Sequence, residues 1–177
     1  GYENGAQYLV SEYLDGDNLR DILSPRGMET QDLLAILQPL SKALDYLHRK
    51  GIIHRDLKPE NILFLRDKDT GVPRPFVKDC GVSKISETTY LVNANGNVLL
   101  GNLNYLAPEI LENQQPSYAA DVYSLGVIIY EVMEGKTPFD AKSLPELIKQ
   151  KLDVYPPVPG NLLKKGGIRA ARVLLKA

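Results

Sequence analysis

The stretch His54-Arg55-Asp56-Leu57-Lys58-Pro59-Glu60-Asn61 sets a carboxylate, an ammonium and an amide close together, Asp56, Lys58 and Asn61, at spacings of two and three. Side chains of those types on one loop could handle a proton, a phosphate and a metal ion at a single point. A carboxylate can orient a hydroxyl and accept its proton, an effect worth about 10²–10⁴ in rate. An ammonium can stand beside a moving phosphoryl group, and an amide oxygen is a neutral ligand for a hard cation such as Mg²⁺. A second carboxylate should hold the same ion, and Asp79 follows a short apolar run at Phe76-Val77. The plainer reading of the loop is a solvated polar turn.

The flanking sequence supplies elements that could position such a loop. From Thr30 to Lys50, Leu33, Leu37, Leu40, Leu44 and Leu47 step by four and three, which predicts one apolar face of a helix. Thr30 is an expected N-cap, Asp32 suits the helix start, and His48, Arg49 and Lys50 before Gly51 suit its end. Tyr8-Leu9-Val10 reads as a buried strand and Asp15-Gly16-Asp17-Asn18 as a turn. Ile62-Leu63-Phe64-Leu65 reads as a strand after the loop, with a second short one at Phe76-Val77. Residues 80–104 have little periodicity and read as a long loop. Asp121 to Gly135 is apolar almost all round, the pattern of a helix buried in mid-domain; Lys142 to Leu152 predicts a weaker helix.

Bulk properties narrow the classes. The chain has 177 residues, 44% of them hydrophobic and 24% charged, enough for one domain with a real core. A net charge of −1 argues against a nucleic-acid grip driven by bulk positive charge. The single cysteine, Cys80, excludes an internal disulfide and fits a reducing, intracellular and cytoplasmic setting. No window approaches the ~20 apolar residues of a membrane span. The chain begins at Gly1 without a signal-peptide pattern, and reads as a piece of a longer protein.

His54 to Leu63, H-R-D-L-K-P-E-N-I-L, resembles the catalytic loop of eukaryotic-type serine/threonine protein kinases. Asp79-Cys80-Gly81 is similar to the metal-binding D-F-G, Ala107-Pro108-Glu109 to the A-P-E that closes the activation segment, and the run from Asp121 to the central helix of the larger lobe. The four follow in family order, and the resemblance covers about residues 2–159. It implies an α+β, protein-kinase-like fold: a mainly helical C-terminal lobe with a few short strands, the small N-terminal lobe nearly absent. Residues 1–14 would be the last small-lobe strand and hinge, 15–159 the larger lobe, and 160–177 an atypical basic tail.

The activity implied is transfer of the ATP γ-phosphate, with Mg²⁺, to Ser or Thr hydroxyls of a protein. Asp56 would take the proton, Lys58 steady the phosphate, and Asn61 and Asp79 hold the metal. Glu12 and Leu14 would meet the adenine edge, Ser11 guard the back pocket, Asn18 lie near the ribose and Leu63 pack under the base. Asp121 would brace the loop. Glu60 and Glu131 sit where some family members bind a basic substrate residue. Arg55 would answer a phosphate on Ser86, Thr88, Thr89 or Tyr90.

The sequence departs from the pattern at several points. No glycine loop or strand Lys precedes the hinge, so this stretch alone is expected to transfer phosphate poorly or not at all. Cys80 replaces Phe, Lys78 precedes Asp79 where a small or apolar residue is usual, and Asn102 stands where Thr is usual. The tail after Gly160 carries five positive residues and no acid, and the Arg that would pair with Glu109 is missing. The alternative is therefore a catalytically weak or inactive kinase-like scaffold. His54 is expected to be a packed structural residue and His48 a helix-end cation.

Overall fold

The apolar stripe read from Leu33 to Leu47 builds the longest helix and fixes the centre of the molecule. The computed structural model describes residues 1–28, 30–67, 73–80, 103–112 and 114–160. Its elements run β1 (Tyr2–Glu3), β2 (Ala6–Gln7), β3 (Asp17–Asn18), α1 (Leu19–Ile22) and α2 (Thr30–Arg49). A 3₁₀ turn (Pro59–Asn61) and then β4 (Ile62–Arg66), β5 (Pro73–Val77), α3 (Pro108–Leu111), α4 (Tyr118–Glu134) and α5 (Leu144–Asp153) follow. Leu33, Leu40 and Leu44 of α2 are buried, as its period requires, with Ile36 beside them. Thr30 is the first helical residue and not the cap before it.

Helix α4 packs against α2 and supplies Leu125, Val127, Ile128, Val132 and Met133 to the same core, which also takes Leu19, Leu57 and Ile62. Ile128, 1% exposed, contributes roughly 1.5–3 kcal/mol by leaving water. The ends of α4 are both capped locally. Ser117 accepts the Ala120 N–H at 3.2 Å, and Gly135 takes the left-handed conformation at φ +74 while its N–H bonds Glu131 O at 2.7 Å. A second cluster, Leu103, Leu106, Phe139 and Leu147, seats α5. That helix starts at Leu144, two residues after the expected Lys142, because Ser143 caps it by accepting the Glu146 N–H.

Two small antiparallel sheets complete the fold. In the first, Tyr2 pairs with Gln7 and Glu3 with Ala6 around Asn4-Gly5, both at positive φ, the turn conformation that an Asn-Gly pair favours. The strand expected at Tyr8–Val10 is therefore displaced: those residues follow the hairpin in irregular backbone and are 50%, 68% and 82% exposed. The second sheet has the order β3-β4-β5, with Leu63 opposite both Asn18 and Phe76. The expected strands at Ile62 and Phe76 are present, the second extended back to Pro73. Asp17-Asn18, read as a turn, also forms a strand edge. Gly81, Asn102, the four candidate phosphate-bearing residues and the tail from 161 lie outside the described residues.

Candidate active site

One buried carboxylate anchors the loop between α2 and the 3₁₀ turn. Asp121, in the first turn of α4, is 1% exposed. Its Oδ2 accepts the backbone N–H of His54 at 2.8 Å and its Oδ1 that of Arg55 at 2.9 Å. His48 Nε2, from the last turn of α2, lies 2.8 Å from the same Oδ2. So His48 is a helix-end residue that also completes the shell of the anchor. Arg55 is held at φ +73, a region that non-glycine residues seldom occupy, and Asp79 at φ +60. Strained backbone of this kind collects at functional sites when its surroundings hold it in place.

His54 is wholly buried and joins the loop to the segment carrying Asp79. Its Nε2 lies 2.9 Å from Lys78 O, and its Nδ1 accepts the Asp56 N–H at 3.3 Å. Those partners fix the neutral tautomer with the proton on Nε2. Burial pushes the imidazole below its ordinary pKa, consistent with that state. The expectation of a packed structural histidine holds. A backbone bond from Lys78 N to Asn61 O, at 3.0 Å, makes a second tie between the same two segments.

Asp56, Lys58 and Asn61 meet as their spacing suggested. Lys58 Nζ is 2.8 Å from Asp56 Oδ2, and Asn61 Nδ2 donates to the same oxygen at 3.0 Å and to Asp56 O at 2.7 Å. With Nδ2 turned toward Asp56, the amide oxygen of Asn61 points the other way. That leaves a neutral oxygen from Asn61 and a carboxylate from Asp79 as candidate cation ligands. Such a pair suits Mg²⁺, which keeps waters and takes one or two protein carboxylates with substrate phosphates. Among the described residues no group of three or more His, Cys, Asp or Glu side chains is arranged to hold a metal.

Next to this loop lies a cleft of about 540 Å³. Leu9, Ser11, Glu12, Tyr13, Leu14, Leu63, Lys78, Asp79 and Cys80 line it. Glu12, Leu14, Leu63 and Asp79, far apart in sequence, thus share one wall system, with Ser11 beside them. Asn18 is not among the lining residues. It is the N-cap of α1: its Oδ1 accepts the Asp21 N–H at 3.1 Å and its Nδ2 reaches Asp21 Oδ2 at 2.5 Å. Lys78 Nζ lies 3.9 Å from Asp79 Oδ2, a loose pairing. Cys80 Sγ points to Val77 O at 3.8 Å, and burial pushes its pKa up, so it stays a thiol.

The family model described as the protein kinase domain matches residues 2–159. The chain belongs to the protein kinase family. A probable serine/threonine-protein kinase of Bifidobacterium longum is 37% identical over 142 residues, 80% of this chain and 18% of that protein. The serine/threonine-protein kinase PknL of Mycobacterium tuberculosis is 35% identical over 158 residues, 89% of this chain and 38% of that protein. A putative serine/threonine-protein kinase of Mycoplasma pneumoniae is 33% identical, with 95% of this chain and 47% of that protein aligned. The kinase chain therefore spans less than half the length of these relatives. No helix among its described residues is long and apolar enough to cross a membrane.

In this kinase domain Glu60 and Glu131, expected where some family members bind a basic substrate residue, both contact Arg20. Arg20 Nε donates to Glu60 Oε1 at 3.0 Å and its Nη1 to Glu131 Oε1 at 2.7 Å. Its Nη2 bonds Tyr105 Oη, which donates to Glu131 Oε2 at 2.6 Å. Sequence reasoning missed both Arg20 and Tyr105, because nothing in their local pattern marks a partner 40 or 111 residues away. Lys151 was missed for the same reason. Although 8% exposed, it donates to the carbonyls of Leu103, Asn104 and Leu106 at 3.1, 2.8 and 2.5 Å.

Proposed function

We propose that this chain is the larger-lobe part, about residues 15–159, of a serine/threonine protein kinase. It would serve transfer of the ATP γ-phosphate to a Ser or Thr hydroxyl of a protein substrate. The observation that carries this is the clamp on Asp56. Lys58 and Asn61 both contact its Oδ2, while Asp121 fixes the backbone two residues before it. A carboxylate held in one orientation can meet an incoming hydroxyl without first reorganising.

In the proposed reaction the substrate hydroxyl oxygen bonds to the γ-phosphorus as the bond from that phosphorus to the β–γ bridging oxygen breaks. The hydroxyl proton passes to Asp56, and ADP leaves with the bridging oxygen. Lys58 lies beside the oxygen that takes part in this step and offsets charge on the transferring group. Asn61 and Asp79 would hold Mg²⁺, which neutralises phosphate charge when bound. Glu12 and Leu14, through their backbone groups, and Leu63, through its side chain, would receive the adenine in the cleft.

A second reading, a kinase-like binding module, is favoured by Lys78 standing beside Asp79, where it competes with a cation for the carboxylate. Labelled γ-phosphate transfer from ATP to a mixture of Ser- and Thr-bearing peptides separates the two. It is run on protein carrying this chain and on its Asp56→Asn variant. Transfer lost in the variant supports the enzyme. Equal transfer by both would overturn Asp56 as proton acceptor, and nucleotide binding without transfer by either would favour the module.

A further inference from the structure

The Arg20 cluster has the composition of a guanidinium site that is already occupied. Two carboxylates from distant elements, Glu60 on the 3₁₀ turn and Glu131 on α4, face one guanidinium from α1. All three of its nitrogens are used, one each on Glu60, Glu131 and the Tyr105 hydroxyl, and the Tyr105 ring centre lies 5.9 Å from its central carbon. Tyr105 in turn donates to the second oxygen of Glu131, so both oxygens of that carboxylate are satisfied. Burial opposes the charge on Arg20, and the bonds from Glu131 and Glu60 outweigh it, leaving the guanidinium more firmly protonated than usual.

The site is filled, and it is closed on the side of Glu131. Glu131 is only 5% exposed. The remaining oxygen of Glu60, Oε2, is buried with no hydrogen-bond partner among the described residues. The Glu60 side chain is 39% exposed, but its Oε1 is held by Arg20 and its Oε2 is buried, so Arg20 occupies the carboxylate oxygens an incoming guanidinium would need. Glu60 directly precedes Asn61, so this is surface beside the loop that would receive a substrate hydroxyl.

We propose that Arg20 is a built-in occupant of a guanidinium site formed by Glu60, Glu131 and Tyr105, and that it withholds this acidic pair from protein substrates. The substrate part of the statement rests on the kinase reading above; the site itself does not. In consequence the chain does not select a basic residue through these two acids, and loss of Arg20 opens a pocket that takes an arginine side chain.

The test separates the two parts. Thermal unfolding of the chain and of its Arg20→Ala variant is followed with millimolar methylguanidinium, and with methylammonium as a control of equal charge. Stabilisation of the variant by methylguanidinium alone, with the unsubstituted chain indifferent to both, is expected, because the fork of a guanidinium can meet two carboxylates and the hydroxyl at once. A variant that folds only when methylguanidinium is supplied supports the site equally. A variant that is indifferent to it, whether folded or unfolded, overturns the proposal.

For the substrate part, binding is measured for Ser-bearing peptides that differ only in Arg against norleucine. The unsubstituted chain is expected to hold each pair equally, and Arg20→Ala to prefer the Arg member about tenfold or more. An Arg preference in the unsubstituted chain that Glu60→Gln removes would overturn it. Neither readout requires phosphate transfer, so a failure of the catalytic reading would not be mistaken for a failure of this one.

Discussion

Asp121 accepts the backbone N–H of His54 at 2.8 Å across 67 residues of sequence, and so ties the central helix α4 to the loop that carries Asp56. The same carboxylate takes the Arg55 N–H at 2.9 Å; the first bond is buried and the second partly so. Asp121→Ala strands these N–H groups and deprives His48 of its partner. Removing one member of such a buried arrangement costs about 3–5 kcal/mol. The urea midpoint of the variant is expected to fall accordingly. A midpoint within about 1 kcal/mol of the parent would mean the loop is held by other contacts.

Asp56→Asn keeps the shape of the side chain but removes the proton acceptor. In protein that carries this chain and transfers phosphate, the rate is expected to fall by about 10²–10⁴, with nucleotide affinity and thermal midpoint little changed. Single-turnover transfer and a nucleotide titration on the same preparation check both halves of the statement.

Lys151 gives a pH dependence with a definite sign. Burial lowers its pKa to about 7, partly opposed by the charge of Glu109, and its Nζ lies 5.1 Å from the centre of the Tyr123 ring. Between the folded value and the ordinary 10.5 the unfolded chain binds the extra proton, so stability contributed at this position rises with pH across that window. The thermal midpoint of the parent minus that of Lys151→Met is expected to increase from about pH 7 to about pH 10. A flat or falling difference would show that the three carbonyls of residues 103, 104 and 106 keep the ammonium charged throughout.

Gly135 ends α4 at φ +74, and a Cβ there would lie 2.2 Å from Pro25 O, a backbone atom. The neighbouring segment is also fixed, since Met28 N–H bonds Val132 O at 2.8 Å. Gly135→Ala therefore meets both a left-handed penalty of ~1–2 kcal/mol and a clash with backbone. A loss of at least ~2 kcal/mol in chemical unfolding is expected. Gly5, at φ +80 with open space around it, should lose no more than the conformational penalty when changed to Ala.

The sequence by itself determined what short spacings and periodicities can carry. Asp56, Lys58 and Asn61 come together because a loop of six residues leaves them little choice, and their types name the chemistry. The step of four and three from Leu33 to Leu47 sets which side of α2 is buried, and Gly135 after an apolar run marks where α4 stops. The need for a second carboxylate pointed to Asp79, and the resemblance added Asp121, which no local pattern would have joined to the loop.

The folded structure decided the rest, first through local turns and caps and then through packing across the chain. Tyr8–Val10 looked like a buried strand because apolar runs usually are, but the Asn4-Gly5 turn closed a hairpin before it. Asn18 stood near the expected ribose position, and the three-residue step to Asp21 made it a helix cap. Glu60 and Glu131 carry no mark in sequence of being already neutralised. Arg20 reaches them only because α1 packs against the 3₁₀ turn and α4 runs behind it, and a desolvated carboxylate is tolerated only where such a partner arrives. Local spacing fixes which side chains are near neighbours along the chain; packing decides which charges meet across it, and here it set Arg20 between two carboxylates that stand far apart in the sequence.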